Sequence, residues 1–246
     1  MTKLIKIEGD YLIASFLSEK ITLDKINNFL PKFVSLLRKH KLKLVGVYKN
    51  NEKLNSGVDR LTYKNLFMQN SDVFRIYLSG NIGNTKTLCG LYFYDCEDYV
   101  ELEFVAPHFE IIESLNPETY EINMLEFLKI AKDIYFFTKP LYGLIGQEEF
   151  APCLENILNK KSKLPNFWGF YSKKVVKAIG FRTLWNTLKG CYILEKLSDG
   201  GVFFAISNWE SGKVLNKDIM QRKDALIKLN SKFIQYFKPP NPNNNH

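Results

Sequence analysis

Gly80 to Thr87 reads GNIGNTKT, one residue away from the phosphate loop G-x-x-x-x-G-K-[ST], whose glycines let backbone amides close around a phosphate. Thr85 stands where the second glycine belongs, and the LCGLYFYD that follows has the character of a strand. A phosphate loop must lead into a helix N-terminus, so the segment reads as a hairpin turn. Acid–base chemistry would need a group of suitable pKa beside a nucleophile or metal. The chain has three histidines, at 40, 108 and 246. His40 sits among lysines at an expected helix end, where a cation suits the dipole. Glu101 with Glu103, and His108 with Glu110, would each share one face of an extended strand, and paired carboxylates can hold a metal. The usual nuclease arrangement adds a nearby lysine, and no Lys or Arg occurs from Thr87 to Leu128. Both pairs therefore read as solvated strand faces. No catalytic residue, metal ligand or cofactor is assigned, and an enzyme with an unrecognised site is the last alternative. The cysteines at 89, 96, 153 and 191 form no C-x-x-C pair and read as thiols buried in a reducing compartment.

The elements that would position such residues are legible in the periodicity. Ile5 to Leu17 reads as one or two strands. Thr22 can cap a helix carrying Leu23, Ile26, Leu30, Phe33, Val34 and Leu37, with a kink or break expected at Pro31. A strand is expected over Leu42–Tyr48, and a long loop over Asn50–Asn70. Strands over Val73–Ser79, Leu88–Tyr94 and Tyr99–Ala106 form an antiparallel meander. Glu118–Phe137 reads as a helix stopped by Pro140, before a short strand at Tyr142–Ile145. Ser172 can cap a short helix ending at Gly180. Cys191–Leu197 and Val202–Ser207 flank Ser198-Asp199-Gly200-Gly201, a hairpin turn. A last amphipathic helix is expected near Lys217–Phe237, followed by a frayed tail.

These elements predict an α+β fold, mostly antiparallel sheet with packed helices. The reading is one domain over residues 1–238 and a disordered tail over 239–246. Two halves, near 1–110 and 111–238, repeat a plan of helix, lysine and short glycine-centred strand. Of the 246 residues 46% are hydrophobic, which excludes a disordered chain. No apolar run reaches the length of a membrane span or an export signal, and the expected address is the cytoplasm.

The stretch LNKKSKLPNFWGFYSKKVVKAIG, Leu158–Gly180, holds six lysines and four aromatic residues. Interleaved rings and cations can stack bases and follow phosphates. Here Phe167, Trp168, Phe170 and Tyr171 crowd together before a helix cap, and the lysines lie to either side. That arrangement favours packing with solvated flanks.

PNFWGFYSKKVVKAIG, then LWNTLKGCYILEKLSDGGVFFAISN, resembles the C-terminal part of the immunity protein 52 family of bacterial polymorphic toxin systems. The resembling elements are Trp168, the short helix ending at Gly180 and two strands around Gly200-Gly201. The resemblance covers about a fifth of the chain. It implies a cytoplasmic α+β protein that binds and neutralises a cognate toxin, such as a nuclease, and it carries over no catalytic residue.

The charge pattern adds a candidate surface. The chain is basic, with net charge +8, yet Thr87 to Leu128 holds ten acids and no base. Such segregation suggests a negative patch on a positive body, unless folding brings lysines beside the acids. Asp95, Glu97, Asp98, Glu101 and Glu118 are the expected partner-facing charges. Tyr92, Tyr94, Tyr99 and Tyr120 are the expected anchors, because Tyr joins apolar area to a polar tip. The alternative partner is nucleic acid, held by the basic body over Lys160–Lys177 and the last helix. The sequence does not fix the oligomeric state.

Overall fold

Strands rich in apolar residues, whose successive side chains point to opposite faces, build a sheet in the first part of the chain, and 3.6-residue periodicity lays helices on it. The computed structural model describes residues 11–49, 52–54, 73–96, 99–107, 117–147 and 168–205. The chain's contacts fall into two compact units, Met1–Gly143 and Leu144–His246. The fold is α+β.

The first unit runs β1 (Tyr11–Glu19), α1 (Lys20–Asp24), α2 (Phe29–Lys39), β2 (Lys43–Lys49), β3 (Glu52–Lys53), β4 (Val73–Ile82), β5 (Thr85–Cys96), β6 (Tyr99–Pro107) and α3 (Pro117–Thr138). Its strands lie in the order β3-β2-β4-β5-β6-β1, and every one of these neighbouring pairs is antiparallel. The meander over β4, β5 and β6 is as the sequence predicts. β4 and β5 join through Gly83 and Asn84 alone. Gly83 has φ +58°, the left-handed geometry that a two-residue hairpin of this kind asks of its first central residue. The near-phosphate-loop motif is thus a hairpin, and the strand that follows it leaves no helix N-terminus to meet a phosphate.

One face of this sheet is aromatic and buried. Phe29 and Phe33 of α2 meet Phe93 of β5 edge-on, at centroid distances of 6.3 and 6.2 Å. Phe33 also stacks on Phe137 of α3 at 5.2 Å, and Phe127 packs on Phe104 of β6 at 5.3 Å. Both helices therefore lie on the Phe93–Phe104 face. The helix expected from Leu23 onward breaks ahead of Pro31, over Lys25–Asn28, where Asn28 takes φ +53°. Pro31 then falls in the first turn of α2, where its missing N–H has no helical partner to lose. Both helices of the repeating plan belong to the first unit.

β7 (Tyr142–Gln147) carries the chain across the unit boundary. The second unit contains β8 (Trp168–Tyr171), α4 (Lys173–Ile179), α5 (Phe181–Leu188), β9 (Ile193–Lys196) and β10 (Val202–Ala205). β10 pairs antiparallel with both β8 and β9. The Ser172 hydroxyl accepts from the Val175 amide at 3.3 Å and caps α4, and Gly180 ends it at φ +93°. The β9–β10 turn closes through the Asp199 carboxylate, which accepts from the Gly201 amide at 2.8 Å. The aromatic stretch is packing: Trp168, Phe170 and Tyr171 are buried, and Phe170 lies 4.7 Å from Phe203 between ring centroids. The expected strand start at Ile5, most of the 50–70 loop, Phe167, Lys160–Lys163, the last helix and the tail lie outside the described residues. Among the described residues no helix is long and apolar enough to cross a membrane.

Candidate functional site

Alternation along β4, β5, β6 and β1 puts a second set of residues on the sheet face away from α2 and α3. In the strand register Arg75 faces Tyr92 and Tyr77 faces Gly90. Tyr92 in turn faces Glu103, and Tyr94 faces Glu101. Ser15 and Leu17 of β1 face the same two glutamates from the other side. Tyr99 shares this face, two residues before Glu101. The face therefore gathers four of the nine expected partner residues, namely Tyr92, Tyr94, Tyr99 and Glu101. It adds Tyr77, Arg75 and Ser15, which the sequence reading did not group with them, and Glu103, which it paired with Glu101 only as a solvated strand face, together with Tyr48 of β2, opposite Arg75.

These groups form a polar network with an aromatic floor. Tyr48 and Tyr77 meet edge-to-face at 5.3 Å, and Tyr77 and Tyr92 at 6.2 Å. The Arg75 guanidinium lies 5.7 Å from the centre of the Tyr92 ring, a cation–π spacing. Burial, then the neighbouring Tyr77 phenol, pushes Tyr92 well above the ordinary phenol pKa. Burial, then the charge of Glu103 and a hydrogen bond to it, does the same for Tyr94. Both phenols keep their protons at neutral pH, so they act there as hydrogen-bonding groups and not as bases or nucleophiles.

The expectation for Glu101 needs correction. It is 7% exposed and accepts a 2.7 Å hydrogen bond from the Ser15 hydroxyl, so it is neither a solvated strand residue nor an exposed docking charge. The cause is β1, which pairs along the outer edge of β6 and brings Ser15 diagonally over the carboxylate. Glu103 on the same face is half-buried. Among the described residues no three of His, Cys, Asp and Glu come together as a metal would require.

Glu118 does not join this face. It is exposed in the first turn of α3, and α3 lies on the opposite side of the sheet. The described acids of the 87–128 segment are thus divided between two sides and form no continuous patch. Tyr120 belongs to α3 and Asp95 to β5, but their side chains are outside the described set, as are Glu97 and Asp98 altogether.

On α3 the outward stripe is mixed. Glu118, Glu121, Ile122, Leu125, Lys129 and Phe136 recur at helical spacing along one side, all exposed. Leu125 is 59% and Ile122 40% exposed, both large apolar residues beside two carboxylates. The sequence reading did not group these residues. The available signal was the apolar set at 122, 125 and 136, out of phase with Met124, Phe127, Leu128, Ala131, Ile134 and Tyr135, which the structure buries.

A third cluster ties α2 to α3. His40, at the C-terminus of α2, is buried, with Nδ1 2.9 Å from a Glu126 oxygen and Nε2 2.9 Å from an Asp133 oxygen. Burial alone would raise the Glu126 pKa, but the hydrogen bond from His40 and the charge of Lys129 outweigh it and hold the carboxyl below its ordinary value. Seven residues, two helical turns, separate the two acids. That spacing sets them on one side of α3.

No protein-family model, curated protein or solved structure matches the chain.

Proposed function

We propose that this chain is a non-enzymatic binding protein that neutralises a cognate bacterial toxin by direct contact in the cytoplasm, with the outward stripe of α3 as its docking surface. The observation that carries the reading is the exposure of Leu125 and Ile122 beside Glu118 and Glu121. Apolar anchors in a charged rim are the composition of a protein-binding surface. The acids at the N-terminal end of the stripe complement a cationic partner. The substrate groove of a nuclease is cationic because it must hold phosphates. The partner class rests on the resemblance of Trp168, the helix ending at Gly180 and the Gly200-Gly201 hairpin to an immunity-protein family.

The test is co-expression with the toxin-like C-terminal domain of the large secreted protein expected to be encoded immediately upstream. The expected result is protection of growth and a 1:1 complex. Ile122→Lys with Leu125→Lys should abolish both without changing the melting temperature, because neither side chain is in the core. Protection that survives the double substitution would move the docking surface elsewhere. Absence of any complex, or metal-dependent turnover by the purified chain, would overturn the binding-protein reading itself.

A further inference from the structure

The second unit carries a surface that the reading above does not use. α5 turns Leu184 and Leu188 into the core. On its flank, Phe181 and Trp185, one turn apart, stack with centroids 5.2 Å apart and planes 25° from parallel. Phe181 is 39% exposed, in contrast to Trp168, Phe170 and Tyr171, which are buried. The Lys196 ammonium, reaching from β9, lies 5.7 Å from the centre of the Phe181 ring. Arg182 follows Phe181 on α5 and Lys189 follows the helix's last residue, and both are exposed, as is Asn186.

The charge around the rings is one-sided. Residues 168–205 contain six Lys and Arg against two acids, Glu195 and Asp199. All six cations, at 173, 174, 177, 182, 189 and 196, are exposed. A ring pair serving only to shield the helix flank would not call for cations around it. Phe181 is exposed and Trp185 half-buried, and rings that reach solvent among cations are what an unpaired base and its phosphates require together. The ring faces take the base without hydrogen-bond readout, and the cations take the backbone.

We propose that Phe181 and Trp185 form a stacking platform for a single-stranded nucleic acid, with Arg182, Lys189 and Lys196 on its phosphates. Contacts confined to base faces and phosphates ignore the sugar, so DNA and RNA single strands should bind alike. The proposal is independent of the toxin-binding reading, which rests on α3 in the first unit.

The experiment is fluorescence anisotropy of labelled oligo(dT) and oligo(rU) with the full chain, with heparin as a polyanion lacking bases. Both oligonucleotides should bind with similar affinity, and tightness should fall with salt by a log–log slope of about −0.7 per phosphate contact. Trp185→Ala should weaken oligonucleotide binding by about 5- to 150-fold, the range for loss of one stacked base, and leave heparin binding unchanged. Trp185→Phe should retain most of the affinity, which separates stacking from any loss of fold. Arg182→Gln with Lys189→Gln should weaken binding to both polymers and flatten the salt slope. No oligonucleotide binding, equal effects of Trp185→Ala on heparin and oligonucleotide, or full affinity in Trp185→Ala would each overturn the platform. A marked preference for one sugar would overturn the base-and-phosphate contact scheme.

Discussion

His40 Nδ1 lies 2.9 Å from the Glu126 carboxylate, joining the C-terminal end of α2 to the middle of α3. Its Nε2 meets Asp133 at the same distance. Carboxylates only accept, so both bonds form together only when each ring nitrogen carries a proton. His40→Ala should therefore destabilise the fold by about 1–3 kcal/mol, the net worth of hydrogen bonds to charged groups at a buried position. Urea unfolding at pH 6 is the measurement, and an unchanged midpoint would mean the cluster contributes nothing.

Glu126 sets the pH dependence of the same cluster. Against its partial burial, the hydrogen bond from His40 and the charge of Lys129 hold its carboxyl below the ordinary glutamate range. A depressed carboxyl contributes stability that is present above the unfolded pKa and lost as pH falls through the folded one. Stability should thus decline below about pH 4.5, and Glu126→Gln should decline less steeply over that range. Parallel curves for the two proteins would exclude the linkage.

Two glutamates of one acidic segment should respond differently to removal. Glu101 is buried on Ser15, so Glu101→Ala should cost about 1–3 kcal/mol as its donor loses a partner. Glu118 is exposed, and Glu118→Ala should shift stability by no more than about 0.5 kcal/mol. Thermal unfolding of both variants decides it; equal losses would contradict the division of the acids.

The β4–β5 hairpin is locked to α3. Asn123, buried on α3, accepts from the Asn84 amide at 2.9 Å and donates to the Thr85 hydroxyl at 2.8 Å. A methyl group at Gly83 would meet the Asn123 side chain and backbone, at a φ that L-residues rarely adopt. Gly83→Ala should lower stability by about 1 kcal/mol or more from backbone strain alone. ATP with Mg²⁺ should leave the melting temperature of the unaltered protein where it was. A nucleotide-induced rise would revive the phosphate-loop reading.

Trp168 is buried, edge-on to Phe203 at 6.2 Å. Trp168→Ala should cost about 3–5 kcal/mol, as for a buried aromatic. An unchanged melting temperature with lost oligonucleotide affinity would transfer the stacking role from α5 to β8.

The sequence by itself determined the meander, α3, the Ser172 cap and the β9–β10 turn, because period, capping chemistry and turn glycines act within a few residues of the chain. It also identified Trp168–Tyr171 as packing, from the crowding of rings beside a cap. It did not mark β8 as a strand or find α5, since these lack the capping side chain that revealed the seven-residue α4 and the turn glycines that revealed the four-residue β9 and β10. Its acidic patch was an inference from proximity in the chain, and proximity in the chain does not decide the side of a sheet. β6 and α3 follow one another, yet strand alternation turns Glu101 and Glu103 to one face while the buried stripe of α3 places Glu118 beyond the other. Only tertiary structure could bury Glu101 under a hydroxyl 86 positions away, pair His40 with acids 86 and 93 positions away, and leave Leu125 in solvent. Each depends on which elements become neighbours, a choice made by the summed burial of the whole core and not by any local signal.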